Sequence, residues 1–242
     1  MTNSGAPVEV IEQVAVGTAR FLETVKGMSD KDIDAPSLLP GWTRGHVLAH
    51  MARNADSLVN LLTWARTGVE TPQYVSVDAR DRDIEEGAPR PLGEQLADFE
   101  ATAQRWLDMA RAMPEQAWAA TVRNRQGGAM PGSLVPWMRL REVEIHHVDL
   151  GLDYRPRHWP ELFVTRLLPE AAIDLGKAAG KSETPATAFA VAATDTGFRA
   201  VIGNGEPEQT VSGPSNALLA WLLGRSDGAE LDGTLPALPA WK

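Results

Sequence analysis

Hydrophobic residues recur every three or four positions along four long segments of the chain, which is the period of an amphipathic helix. The second segment begins at Thr43, a preferred N-cap residue, and ends at Gly68, a residue type favoured just past a helix. Four helices of comparable length predict a four-helix bundle, an architecture whose interior often holds metal ions. The segments are residues 8–26, 43–68, 91–113 and 134–152.

The pattern changes after residue 160. A helical segment is followed by two or three strands and a last helix, with the clearest segments at residues 162–179, 189–194, 198–202 and 214–224. The turn sequence Asp195-Thr196-Gly197 separates the two strands, which is typical of a hairpin. We therefore predict a mainly α chain with two domains, a helical bundle in residues 1–160 and a small α+β domain in residues 161–242.

Two connections inside the bundle are less regular. The charged stretch ARDRDIEEGA either opens a short helix or stays a loop. The stretch RNRQGGAMPGS is predicted to be a glycine-rich connection. Neither stretch changes the prediction of four long helices.

The composition excludes several kinds of protein. A net charge of −9 argues against a nucleic-acid surface, which needs basic groups to neutralise phosphates. No apolar run suits a membrane span or a signal peptide, so we expect a cytoplasmic protein, and we expect a monomer. The chain has no cysteine, which excludes disulfides, cysteine-bound zinc and a thiol nucleophile of its own. Any thiol chemistry therefore needs a thiol from outside the chain.

The fourth predicted helix carries five polar residues within the stretch LREVEIHHVDLGL. Glu142 and His146 are four positions apart and lie on one line of the helix surface, with Asp149 next along it. Glu144 and His147 are predicted to point well away from the apolar face. A carboxylate and an imidazole that border a buried face need partners, because an unpaired buried charge is costly.

The second predicted helix offers a partner for this pair. His46 and His50 are also four positions apart, and His50 lies nearer to the apolar stripe. A helical Glu-x-x-x-His that faces one histidine supplies two nitrogens and one carboxylate oxygen, a ligand set for zinc with one position left open. The same set also suits iron or manganese. The alternative is that each pair only stabilises a solvated helix face.

Three blocks of sequence resemble a known family. GWTRGHVLAHMARNADSLVNLLTWARTGVETPQYVS and WMRLREVEIHHVDLG are similar to the mycothiol-dependent maleylpyruvate isomerases of the DinB-like metalloprotein superfamily. VSGPSNALLAWLLGRSDG resembles the C-terminal domain of these proteins. The resemblance covers nearly the whole chain, although residues 83–126 are not diagnostic. It implies a DinB-like four-helix bundle followed by a small sterol-carrier-like α+β domain.

The resemblance also implies the metal ligands, which are His50, Glu142 and His146. It implies that His46 and His147 are not ligands, and that His46 instead supports a ligand or packs in the helix. Asp149 lies in line with these ligands along the helix, where a carboxylate is able to orient a ligand imidazole from behind the metal. The alternative for Asp149 is a simple helix-end residue.

An arginine is implied as well, and it falls on Arg225. A guanidinium at that position would hold a carboxylate of the substrate, because its planar fork matches the two oxygens. The alternative is that Arg225 only caps the preceding helix, whose last carbonyls attract cations. Arg80, in YVSVDARD, is a further candidate for binding an anionic group, although charged loop residues are usually just solvated.

The activity implied by the resemblance is a zinc- and mycothiol-dependent cis–trans isomerisation of maleylpyruvate to fumarylpyruvate, in the gentisate route of aromatic degradation. A carbon–carbon double bond cannot rotate, so a thiol has to add, allow rotation and leave. The expected partners are the dicarboxylate substrate and mycothiol. The alternatives are another DinB-like metal-dependent thiol S-transferase or hydrolase, and a non-catalytic metal-binding or regulatory module.

Overall fold

The computed structural model describes residues 7–179 and 188–238, and the chain divides into two compact units. The first unit is Met1–Asp153 and the second is Tyr154–Lys242. The sequence pattern places the division later, at residue 160. The predicted fold class is confirmed, because long helices dominate the first unit and a small sheet lies between helices in the sequence of the second.

The helices of the first unit are, in chain order, α1 (Val8–Lys26), α2 (Asp30–Ile33), α3 (Arg44–Thr67), α4 (Val77–Gly87), α5 (Leu92–Arg111) and α6 (Val135–Asp149). Helices α1, α3, α5 and α6 form the bundle, with α1 and α3 each packed against both α5 and α6. Their apolar faces meet in a core that includes Phe21, Leu48, Phe99 and Val143, all of them fully buried. The four predicted bundle helices are therefore present.

Helix α3 begins and ends where its sequence predicts. The Thr43 side chain accepts a hydrogen bond from the backbone N–H of His46, which satisfies one of the free amides of the first turn. Gly68 follows the helix with a φ of 73°, a left-handed conformation that glycine adopts without a steric penalty. These two ends fix where α3 begins and ends, and so they fix the position of His50 along the helix.

The two irregular connections both contain regular structure. The charged stretch after Ser76 forms α4, and the Ser76 side chain caps it by accepting from the N–H of Ala79 at 3.0 Å. The glycine-rich connection contains the turn and second strand of an antiparallel hairpin of β1 (Thr121–Arg123) and β2 (Ala129–Pro131), regular structure that the sequence pattern did not predict. Strands of three residues are too short to show an alternating pattern.

The second unit contains α7 (Glu161–Ala179), β3 (Phe189–Ala193), β4 (Arg199–Ile202), β5 (Gln209–Gly213) and α8 (Ser215–Leu222). Strand β3 is central, pairing with β4 antiparallel and with β5 parallel. The predicted hairpin around residues 195–197 is therefore present. Helix α7 packs against α8 and against β4. Within residues 7–179 and 188–238, no helix is long and apolar enough to cross a membrane.

Candidate metal centre

Three side chains from two helices converge inside the first unit. Nε2 of His50 on α3 lies 2.9 Å from Oε2 of Glu142 and 3.1 Å from Nε2 of His146, both on α6. Nε2 of His146 lies 3.2 Å from the same Glu142 oxygen. One ligand atom from each residue thus lies within 4.8 Å of the others. The sequence predicted this set, and the structure brings its three members together.

The register of the two helices explains the convergence. Arg44, the first residue of α3, donates from Nε to the carbonyl of Leu150 just past the end of α6, at 2.8 Å. The start of α3 is therefore held against the end of α6. His50 lies less than two turns into α3, which puts it opposite the last turns of α6 where Glu142 and His146 lie.

The donor set fits a divalent metal ion. Ligand atoms about 2.0–2.1 Å from a tetrahedral zinc are about 3.4 Å from one another. The three separations here, 2.9 to 3.2 Å, are only slightly shorter. A small outward movement of the side chains would admit an ion. The Glu142 side chain is 30% exposed, so the cluster is open on that side and leaves a position for a further ligand.

The three groups also bias each other's protonation. Burial lowers the pKa of His50 to about 4, against the opposing effect of the Glu142 carboxylate. Burial also disfavours the charged forms of His146 and Glu142, but their mutual hydrogen bonds outweigh it. Hydrogen bonds to Asp149 and Glu142 raise the pKa of His146 to about 9, and those from His146 and His50 hold the pKa of Glu142 well below its usual range. Two of the three ligands are thus already deprotonated at neutral pH.

The groups behind the ligands come from the end of α6 and from the segment just before α3. Nδ1 of His146 is hydrogen-bonded to Oδ2 of Asp149, the residue that the sequence proposed for orienting a ligand. The indole of Trp42 packs against the imidazole of His50 with ring centres 5.6 Å apart. Both contacts restrict the rings and leave each Nε2 directed at the cluster.

The neighbouring histidines have other roles. His46 belongs to the start of α3, where Nδ1 accepts from the N–H of Thr43 at 3.2 Å. His147 lies on the opposite side of α6 from the cluster, and its Nε2 is 2.7 Å from the hydroxyl of Thr24 on α1. Glu144 and His147 were predicted to point well away from the apolar face that carries Ile145 and Val148, and both are nevertheless buried. Helix α6 is enclosed by α1 as well as α3, so it has no solvated face on that side.

Sequence reasoning did not identify Arg139, which is fully buried one turn before Glu142. Its Nη1 donates to the Asn54 side chain at 2.8 Å and to the carbonyl of Met51 at 3.0 Å, both on α3. Among the residues the structure describes, Nη2 has no hydrogen-bond partner. Burial lowers the pKa of Arg139 to about 10, which leaves it charged at neutral pH. The sequence signal that could have pointed to it was Asn54 on α3, a polar residue at the edge of the apolar stripe.

The two arginines that the sequence proposed lie in different surroundings. Arg80, on α4, reaches the cluster, with Nη2 3.2 Å from Nδ1 of His50. Arg225 follows α8 in the second unit and donates from Nη1 to the carbonyl of Leu223 at 2.7 Å. That contact is the capping arrangement considered as the alternative for Arg225. The carboxylate-binding role of Arg225 remains a prediction.

A helical bundle with two histidines and a carboxylate converging inside it is the architecture of a metal-binding bundle protein. Residues 14–151 match the family model described as the mycothiol maleylpyruvate isomerase N-terminal domain. The chain belongs to this family of isomerases. No curated protein sequence matches the chain.

Two solved structures have the same fold over nearly their entire length. The first is the crystal structure of the mycothiol-dependent maleylpyruvate isomerase, which is 30% identical in sequence and superposes with a TM-score of 0.90. The second is a mutant of the mycothiol-dependent maleylpyruvate isomerase with one histidine replaced by alanine, 29% identical with the same TM-score. In each comparison 97% of both chains is covered. The likeness therefore extends through both units of the chain.

Proposed function

We propose that this protein is a zinc- and mycothiol-dependent isomerase that converts maleylpyruvate to fumarylpyruvate, a step of the gentisate route. The observation that carries the proposal is the convergence of His50, Glu142 and His146 within 4.8 Å in a chain that has no cysteine. A site with metal ligands but no thiol suits a reaction whose thiol comes from a small molecule. The 30% identity to a mycothiol-dependent maleylpyruvate isomerase over 97% of both chains supports the substrate and the cofactor.

When bound, the metal and the thiol cofactor together supply a thiolate, because coordination to a cation favours loss of the thiol proton. Reversible addition of a thiolate makes a double bond temporarily single and so permits rotation. The chain's own residues hold this chemistry in place. His50, Glu142 and His146 would hold the ion, and Asp149 would keep His146 in the tautomer that directs Nε2 at it.

The remaining requirement is a fixed substrate. Addition is fast only when the alkene is held at the correct distance and angle from the sulfur, so a carboxylate anchor is a large part of the rate. In the proposed function Arg225 supplies one such anchor through its guanidinium. The two-histidine, one-carboxylate set is compatible with zinc, whose catalytic sites of this composition keep an open position.

The test combines metal analysis with an isomerase assay. Purified wild-type protein and Glu142→Ala are measured for bound zinc and for conversion of maleylpyruvate to fumarylpyruvate, with and without mycothiol. We expect about one zinc per wild-type chain, turnover only when mycothiol is present, and neither zinc nor turnover in Glu142→Ala. The matched control is His46→Ala, one helical turn before His50, which should retain its zinc.

Three results would contradict the proposal. Turnover of wild-type protein after removal of all small thiols would exclude the thiol-dependent route. Full zinc content and activity in a folded His50→Ala variant would place the metal elsewhere. Accumulation of a stable mycothiol conjugate without fumarylpyruvate would indicate an S-transferase on the same site.

A further inference from the structure

A cavity of about 280 Å³ lies in the first unit, at a distance from the metal cluster. Its lining comes from the end of α3, the loop that joins α3 to α4, the start of α4 and the turn between β1 and β2. Trp64, on its wall, lies about four turns further along α3 than His50. The three candidate metal ligands are not among the described residues that line it, so the cavity is a separate feature.

Hydrogen bonds hold two of the segments that line this cavity. Nδ2 of Asn60 on α3 donates to the carbonyl of Pro72 at 3.3 Å and to that of Gln73 at 3.2 Å, which fixes the loop after α3 against the helix. In the turn between β1 and β2, Oδ1 of Asn124 accepts from the backbone N–H of Gly128 at 2.8 Å. The cavity is therefore formed before any ligand enters, as binding sites for small molecules usually are.

Gln73 places a buried amide on the wall of the cavity. The residue is 8% exposed, and its Oε1 has no hydrogen-bond partner among the described residues. A buried acceptor without a partner is costly. Rotation of the amide about the last side-chain bond exchanges Oε1 and Nε2, and a hydroxyl satisfies either orientation because it both donates and accepts. A carboxylate or phosphate anion only accepts, so it does not suit this end of the cavity.

The remaining side chains of the lining favour an aromatic acid. Trp64 and Tyr74 offer flat apolar faces, against which an aromatic ring packs well. Arg123 and Arg125 line the cavity from the turn between β1 and β2, and both are exposed, so they mark its open end. Glu70 is the one acidic residue among the described lining residues, so positive charge prevails there. A guanidinium at the open end suits a carboxylate.

We propose that this cavity binds a hydroxylated aromatic acid of the hydroxybenzoate class. The ring lies against Trp64 and Tyr74, the ring hydroxyl forms a hydrogen bond with the Gln73 amide, and the carboxylate meets Arg123 and Arg125. The site goes beyond the proposed isomerase function, because it needs neither the metal nor the thiol. It gives the first unit a second place at which a small organic acid binds.

A series of related ligands tests the proposal by calorimetry on the zinc-loaded wild-type protein. 3-Hydroxybenzoate has both polar groups and should bind with a dissociation constant of about 1 mM or lower, which is ordinary for a ligand of this size. Benzoate lacks the hydroxyl and phenol lacks the carboxylate, so each should bind about tenfold more weakly. myo-Inositol carries many hydroxyls but no aromatic ring or charge, and it should not bind.

Two variants examine the two ends of the cavity. Gln73→Leu should bind 3-hydroxybenzoate about tenfold more weakly than wild type, and no better than it binds benzoate. Arg125→Gln should show a similar loss and should discriminate less between 3-hydroxybenzoate and phenol; because Arg125 is exposed, its replacement leaves the fold intact. Arg82→Gln is the matched control, since Arg82 is an exposed arginine on α4 outside the cavity, and it should bind as wild type does.

Glu142→Ala separates this site from the metal cluster, because it removes a candidate metal ligand and leaves the cavity untouched. It should bind 3-hydroxybenzoate as tightly as wild type. That result stands whether or not the protein isomerises maleylpyruvate, so failure of the proposed function and failure of this proposal are distinguishable.

Four results would overturn the proposal. Wild-type protein that does not bind 3-hydroxybenzoate would show that the cavity takes no such acid. Wild-type affinity in a folded Gln73→Leu or Arg125→Gln variant would place the ligand elsewhere. Loss of binding in Glu142→Ala would place the acid at the metal cluster. Binding of myo-inositol as tight as that of 3-hydroxybenzoate would make this a site for polyhydroxylated compounds.

Discussion

Nδ1 of His146 lies 2.8 Å from Oδ2 of Asp149, one turn further along the same helix. The Asp149 carboxylate is fully buried, whereas the imidazole extends toward the open side of the bundle. The bond fixes both the plane of the ring and the position of its hydrogen. Nε2 is consequently presented to Glu142 and His50, which is the arrangement that a histidine ligand needs.

Asp149→Asn is expected to weaken zinc binding about tenfold to a hundredfold, because an amide keeps the shape but loses the negative charge that fixes the ring. Competition with a zinc chelator of known affinity measures the change. Asp153→Asn, an exposed carboxylate beyond the helix end, is the control and should bind zinc as wild type does. An unchanged affinity in Asp149→Asn would show that His146 is oriented by packing alone.

Zinc affinity is expected to increase with pH over the neutral range. The raised pKa of His146, about 9, means that its ring is protonated there in the metal-free protein, whereas His50, with a pKa of about 4, is not. Binding therefore has to displace one proton, from His146, and affinity should change about tenfold per pH unit between about pH 6 and 8. Calorimetry in buffers of different ionisation enthalpy counts the released protons. A pH-independent affinity would contradict the protonation of His146.

Arg139 and Asn54 are expected to act as a pair that joins α6 to α3. Arg139→Met removes a donor from the buried Asn54 oxygen and should lower the free energy of unfolding by about 1–3 kcal/mol. Asn54→Leu removes an acceptor from the buried Arg139 guanidinium and should lower the free energy of unfolding by a similar amount. In the double variant neither polar group remains without the other, so the loss of unfolding free energy should be smaller than the sum of the two single losses. Denaturant unfolding of the three variants measures this, and additive losses would mean that the pair does not interact.

Asp195 is expected to stabilise the start of α8. Its carboxylate accepts from the backbone N–H of Ser215 at 3.0 Å and from the Ser215 hydroxyl at 2.6 Å. Partial burial opposes ionisation, but these hydrogen bonds outweigh it and lower the pKa of Asp195. The stabilisation is thus present above the ordinary carboxyl pKa and is lost as the pH falls below it.

Replacement of this carboxylate by Asp195→Ala should lower stability by about 1 kcal/mol at neutral pH, as for other helix caps. Thermal unfolding at neutral and acid pH checks it, and the difference from wild type should shrink in acid. Glu206→Ala, at an exposed position of the same unit, should have no effect at either pH. A difference that persists unchanged in acid would mean that the Asp195 charge is not the cause.

The periodic pattern of hydrophobic residues was sufficient to predict the bundle helices, but not to predict which faces of each helix are buried. The period of three and four predicted each bundle helix, and the spacing of Glu142 and His146 placed both on one line. The same spacing placed His147 on the opposite side of the helix but did not show that it is buried, because its partner is Thr24, 123 positions earlier in the chain. A helix that packs between two others carries polar residues on its buried faces. Only the tertiary structure shows which groups form hydrogen bonds with them.

Arg139 and Arg80 illustrate the same limit in two ways. A fully buried arginine is rare enough that composition predicts it to be exposed, and its acceptors on α3 are known only from the packing. Arg80 was a candidate on charge alone, in a stretch with no clear helical pattern. The structure adds the helix α4 and the position of its side chain against His50.

His50 and Glu142 are separated by 92 positions in the chain, yet they lie at hydrogen-bonding distance. An ion held between them would close that long loop as a cross-link does, and the closure would be reversible. Since such an ion binds only the folded chain, its free concentration would set the stability of the bundle as well as its activity. Protein without the ion would therefore unfold more readily than protein that holds it.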